Sequence, residues 1–115
     1  MDLNHLHLHV KDIYDSKAFY IKFFEFKEKV NYDDLLFLEN ESKFDLALQP
    51  DNELHVFPNY FHFGFILESP NAVKEFYNKM RKEKVVIDKE LMDYENLVSF
   101  RCLDPDNHKI EIYLE

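Results

Sequence analysis

The chain has one glycine, Gly64, one cysteine, Cys102, and no tryptophan among 115 residues. Glycine-rich phosphate loops need several glycines close together, so neither common nucleotide-binding loop can form. A single cysteine cannot close an internal disulfide, which points to a reducing, cytoplasmic setting. No apolar run approaches the roughly 20 residues of a membrane helix. The opening MDLNHLHLHV has neither a basic n-region nor an apolar h-region, so no signal peptide is expected. Basic residues are outnumbered, with 14 Lys and Arg against 23 Asp and Glu, a formal net charge of -9. Such a surface repels phosphate backbones and anionic lipid, which disfavours nucleic-acid and membrane partners.

What is present is material for a core. Apolar residues make up 46% of the chain and aromatics 17%, which predicts one packed domain over 1–115 rather than disorder. Residues 5–10, HLHLHV, alternate strictly and read as a half-buried strand. Over 13–27 the period changes. Ile13, Ala18, Phe19, Phe23 and Phe26 suit an amphipathic helix begun near Asp15 or Ser16. Short strands follow near 28–31, 34–39 and 43–49, then a polar loop at 50–59. FHFGFIL (61–67) reads as a strand, and 69–84 as a helix with Ser69 as N-cap and Pro70 at its first position. Strands VVIDKEL, NLVSFRCL and HKIEIYLE complete the chain, with DPDN (104–107) a turn.

The order strand, helix, three strands occurs twice, which predicts an internal duplication. His5, Val10 and Phe19-Tyr20 match His62, Leu67 and Phe76-Tyr77 at one constant offset. KFDLAL (43–48) matches KIEIYL (109–114) at a slightly larger one. The superposition pairs His5 with His62 and Asp45 with Glu111. Alternation puts Leu6, Leu8, Val10, Phe44, Leu46, Leu48, Phe61, Phe63, Phe65, Val98, Phe100, Ile110 and Ile112 on one apolar face that helices can cover. The opposite face gathers His5, His7, His9, Asp45, His62, Ser99, Arg101, Glu111 and Tyr113. Taken alone, such a face often simply meets water. The paired imidazoles and carboxylates suggest instead a metal such as zinc, nickel, manganese or iron(II). Gly64 follows His62 by two residues, where a side chain would crowd a bound group.

These residues resemble the vicinal oxygen chelate superfamily, which includes glyoxalase I, fosfomycin-resistance thiol transferases, extradiol dioxygenases and bleomycin-binding proteins. The likeness is carried by NHLHLHVKDIYDSKAFYIKFFEF, FHFGFIL and DPDNHKIEI, and it covers essentially the whole chain. It implies an α+β fold of two tandem βαβββ modules, about 1–52 and 59–115, making a cupped mixed sheet with helices outside. His5, His62 and Glu111 look like its ligands for one divalent metal ion. Asp45 stands where glyoxalase I has a fourth ligand, although Asp is shorter than the usual Glu. The fosfomycin enzymes manage with three. The resemblance also implies a homodimer, with sites often built from two chains. The family often has Gly where this chain has Glu25, and again where it has Asn107. Asn tolerates a left-handed turn position, so that turn is expected to survive.

Three functions compete. The first is a glyoxalase-type lyase, in which the metal chelates vicinal oxygens of a small substrate, such as a thiol adduct, and stabilises an enediolate. Glu111 or Asp45 would be the catalytic base. The second is metal-dependent thiol transfer onto an epoxide antibiotic of the fosfomycin type. The third is a metal-free drug-binding protein like the bleomycin-resistance relatives. Extradiol cleavage fits less well, since those enzymes usually have longer, two-domain chains. Arg101 is expected to hold an anionic substrate group, and His7, Ser99 and Tyr113 to touch substrate. Neither His7 nor His9 is expected to ligate. His108 is expected at the surface, and Cys102 as an inert core thiol. The loop 50–59 and residues 88–97 are expected to line the mouth.

Overall fold

The computed structural model describes residues 1–53 and 55–115; of the expected loop 50–59, Leu54 lies outside the described residues. The chain divides into two compact units, Met1–His55 and Val56–Glu115. In the first, β1 (His5–Val10) leads to α1 (Ile13–Phe24), then β2 (Lys27–Tyr32), β3 (Leu35–Glu39) and β4 (Asp45–Pro50). In the second, β5 (Phe63–Ile66) leads to α2 (Pro70–Lys82), β6 (Ile87–Tyr94), β7 (Leu97–Leu103) and β8 (Lys109–Leu114). The described residues thus form two βαβββ modules of an α+β fold. Each module has its own four-stranded mixed sheet, ordered β1-β4-β3-β2 and β5-β8-β7-β6. In both, the first and last strands of the module pair in parallel and the remaining pairs are antiparallel. The helix is the crossover that a parallel pair requires.

Most of the apolar face is buried as the alternation requires, while Leu6, Phe44, Phe63 and Phe65 are only half-buried. Leu8, Val10, Leu36, Leu38, Leu46 and Leu48 fill the first module with Tyr20, Phe23 and Phe24 of α1. Val98, Phe100, Cys102, Ile110 and Ile112 fill the second with Val73, Tyr77 and Met80 of α2. The Tyr77 hydroxyl donates to Glu90 of β6, which pushes its pKa up. Helix α2 begins as expected: Ser69 caps it by accepting the Ala72 N–H at 3.0 Å, and Pro70 is its first residue.

Helix α1 differs from expectation. Its cap is Asp12, not Asp15 or Ser16; the extended Asp12 accepts the N–H groups of Tyr14 and Asp15. The helix therefore starts as soon as β1 ends. Its buried stripe is Ser16, Tyr20, Phe23 and Phe24, a strict i, i+4, i+7, i+8 row, and Ala18 is exposed. Phe26 is buried but lies past the helix, because Glu25 turns the chain in a left-handed conformation at φ 59. Strand β5 is also shorter than the expected 61–67. Phe61 lies outside it, exposed and stacked on Phe57 at 4.9 Å between ring centres.

The DPDN turn holds as expected, with Asn107 at φ 67. His108 is not at the surface: it is 8% exposed and its Nδ1 donates to Asp104 Oδ2 at 2.7 Å. Asp104 Oδ1 takes the N–H groups of Asp106 and His108. A buried carboxylate needs such donors, and the imidazole supplies one that water would otherwise provide.

Candidate metal centre

In the second module the strand register assembles the polar residues. Glu111 of β8 pairs with Arg101 of β7, and Tyr113 with Ser99. Directly paired residues share a face, so these four side chains form a block. On the other side of β8, Gly64 pairs with Glu111. A Cβ on Gly64 would lie 2.8 Å from the Glu111 carbonyl oxygen. The glycine is thus required by the neighbouring backbone, rather than by a bound group as its position beside His62 suggested. His62 precedes β5 and brings its Nε2 to 3.7 Å from Glu111 Oε2. Its Nδ1 donates to the Tyr60 carbonyl at 2.8 Å, which fixes the ring and leaves the Nε2 lone pair for a ligand.

Part of this face is withdrawn from water, although His5, His7, His9 and His62 are exposed. Ser99 is 4% exposed and Arg101 8%. The Arg101 Nε has no hydrogen-bond partner among the described residues, and its Nη1 stands a long 3.7 Å from Asp88. An unpaired buried N–H costs about 1–3 kcal/mol, a cost that an anionic group would relieve.

In the first module His5 pairs directly with Asp45. The second module slips by two residues relative to this, and an even slip keeps the same face. His5 Nδ1 lies 3.2 Å from Asn4 Oδ1, and its Nε2 has no hydrogen bond among the described residues. Asp45 is less free, because Lys29 Nζ approaches its oxygens at 3.1 and 3.2 Å and Glu39 at 3.4 Å. Asp45 first, and then Glu39, raise the Lys29 pKa. His7 gives its Nε2 to Gln49 Oε1 at 2.8 Å. His9 meets Asp51 at 2.6 Å, and so does His55 at 2.7 Å. Hydrogen bonds from His9, the Glu53 N–H and His55 hold Asp51 well below the usual carboxylate range. Neither Asp51 nor His55 stood out in the sequence, although their spacing of four residues was a signal.

The donors fit a divalent metal. Two ligand atoms on one zinc at 2.0–2.2 Å stand roughly 3.2–3.6 Å apart, close to the His62–Glu111 separation. Among the described residues the Nε2 atoms of His5 and His62 make no hydrogen bond, and no Lys or Arg side chain forms an ion pair with Glu111.

A family model described as the Glyoxalase/Bleomycin resistance protein/Dioxygenase superfamily matches residues 2–112. The chain belongs to this superfamily. The fold is shared with a possible glyoxalase from Bacillus cereus, 23% identical, at a TM-score of 0.86 and 99% coverage of both chains. It is shared with lactoylglutathione lyase from Agrobacterium tumefaciens, 18% identical, at 0.78, covering 97% of this chain and 92% of that one. A mutant of the fosfomycin resistance protein FosX from Listeria monocytogenes, complexed with Mn(II) and 1S,2S-dihydroxypropylphosphonic acid, is 23% identical at 0.83, covering 97% and 90%. No curated protein matches. None of the described helices of this superfamily member is long and apolar enough to cross a membrane.

Proposed function

We propose that the protein is a metal-dependent enzyme of the glyoxalase type, a lyase or isomerase acting on a small substrate with two neighbouring oxygens. The observation that carries this reading is the aimed His62 Nε2 facing Glu111 at 3.7 Å, with its other nitrogen tied to the Tyr60 carbonyl. His5 and Asp45 are the related pair in the first module. The ligands in this reading are His5, His62 and Glu111. Asp45 joins only by giving up Lys29. A bound zinc, nickel, manganese or iron ion would supply Lewis-acid polarisation of the substrate oxygens.

The chain's own groups do the rest. Glu111 accepts the proton leaving a substrate carbon and returns it to the neighbouring one. Asp45 is the alternative base. Arg101 holds an anionic substituent on the Nε, which has no partner among the described residues. Ser99 and Tyr113 stand opposite one another on the same face with hydroxyls for substrate oxygens. His7, fixed by Gln49, contributes from the first module. The working assembly proposed with this reading is a cytoplasmic homodimer; a solution mass of 14.0 kDa by sedimentation equilibrium would exclude the dimer.

Arg101 also favours a second reading, thiol transfer to an epoxide bearing a phosphonate. There the thiol sulfur attacks an epoxide carbon, the C–O bond breaks and the oxygen takes up a proton. One experiment separates the two. The metal-loaded protein is assayed with hemithioacetals and with fosfomycin plus a thiol, in wild type and Glu111→Gln. Turnover of the hemithioacetal that falls on the order of 10²–10⁴-fold in the variant supports the first reading. Turnover of the epoxide alone supports the second. Hemithioacetal turnover unchanged by Glu111→Gln overturns the role given to that residue.

A further inference from the structure

A cluster outside the residues proposed as ligands lies where β4 ends. The Asp51 N–H donates to the Val10 carbonyl at 2.8 Å, so the chain leaving β4 is tied to the end of β1. The two carboxylate oxygens of Asp51 have separate tasks. Oδ1 accepts the Glu53 N–H at 2.8 Å. Oδ2 receives His9 Nδ1 at 2.6 Å and His55 Nε2 at 2.7 Å. The two rings meet edge to face, with centres 5.5 Å apart. One donor atom from each residue lies within 4.8 Å of the other two. His9 and His55 are exposed and Asp51 is partly so, which lets an ion and its water reach them.

We propose that His9, Asp51 and His55 form a second metal site, separate from His5, His62 and Glu111, taking a transition-metal cation of the zinc class with solvent completing the coordination. Two imidazoles and one carboxylate are the donor set such ions prefer, and calcium or magnesium would demand more oxygens. The two ring protons that now converge on Oδ2 occupy the place of a single cation. Each ring moves its proton to its other nitrogen through solvent, freeing a lone pair. The donors must then open from 2.6–2.7 Å to roughly 3.2–3.6 Å, which exposed side chains do by small rotations. The Glu53 N–H keeps Oδ1 and so aims Oδ2, the outer hydrogen bond that well-formed metal sites share. The bound ion would staple the segment after β4 to β1.

The test uses the full, untagged chain and does not depend on the proposed activity. His5→Ala, His62→Ala and Glu111→Gln are combined, and zinc binding is measured by competition with a chromophoric chelator. That variant is expected to bind one zinc per chain. Adding His55→Ala, or Asp51→Asn, is expected to weaken binding by 10–100-fold or more. His55 is exposed, so its loss leaves the fold intact, which circular dichroism checks. Should the combined variant misfold, wild type and His55→Ala are compared directly, and His55→Ala is expected to hold one ion fewer. Cobalt(II) gives a second reading, with visible ligand-field absorption in the combined variant that vanishes when His55→Ala is added to it. No zinc on the folded combined variant, or zinc binding that both substitutions leave unchanged, overturns the site.

Discussion

Single residues carry much of this protein's physical logic. Glu25 holds a left-handed backbone at φ 59 where glycine would be unstrained. Glu25→Gly is therefore expected to raise stability by about 1 kcal/mol in urea unfolding, because a Cβ disfavours that conformation. Cys102 is fully buried, and burial foremost pushes its pKa up to about 12. It should resist a thiol reagent at pH 8 until the chain unfolds; prompt reaction of the folded protein would contradict this. The unfolded thiol ionises first, near its ordinary 9.0, so stability should fall as pH climbs from there towards 12. These roles were legible in the sequence as residue types, an inert core thiol and a missing helix-ending glycine. The His108–Asp104 pair was not, because alternation says nothing about which polar group a turn folds inward.

At the scale of elements, phase and register decide. Helix α2 was legible from Ser69-Pro70, since cap and first residue are chemically distinctive. Ser69→Ala should cost about 1 kcal/mol by the same unfolding measurement. In α1 the start moved forward to Asp12, and the buried row rotated onto Ser16, Tyr20, Phe23 and Phe24. Several apolar rows coexist in such an aromatic-rich segment, and only contact with the sheet selects one. The β5–β8 register is the sharper case. It places Gly64 against the Glu111 backbone with no room for a Cβ. Gly64→Ala should shift β5 or β8, cost roughly 1–3 kcal/mol and weaken metal binding through Glu111. Unchanged stability together with unchanged metal affinity would show that the strands yield freely.

For the whole molecule, two modules of like order repeat one solution to burying a sheet face. A metal bound only by the folded chain stabilises it by mass action. Metal at a hundred times its dissociation constant should add about 2.7 kcal/mol, seen as a rise in melting temperature that a chelator reverses. His62→Ala should abolish that part of the rise belonging to the proposed catalytic ion. A melting temperature indifferent to every divalent ion tried would refute metal binding at both proposed sites.

Beyond the fold class and the ligand set, which the family resemblance implied, the amino-acid order by itself determined the repeated order of elements and the apolar and polar faces. Those follow from period, caps and turns, which are local and need only neighbours along the chain. Only the tertiary structure decided which donors share a strand pairing. It set Arg101 beside Glu111, left the Arg101 Nε without a partner among the described residues, gave Asp45 to Lys29, and drew His9 and His55 onto one oxygen of Asp51. Pairing between strands distant in sequence depends on register and burial, and no local pattern encodes either.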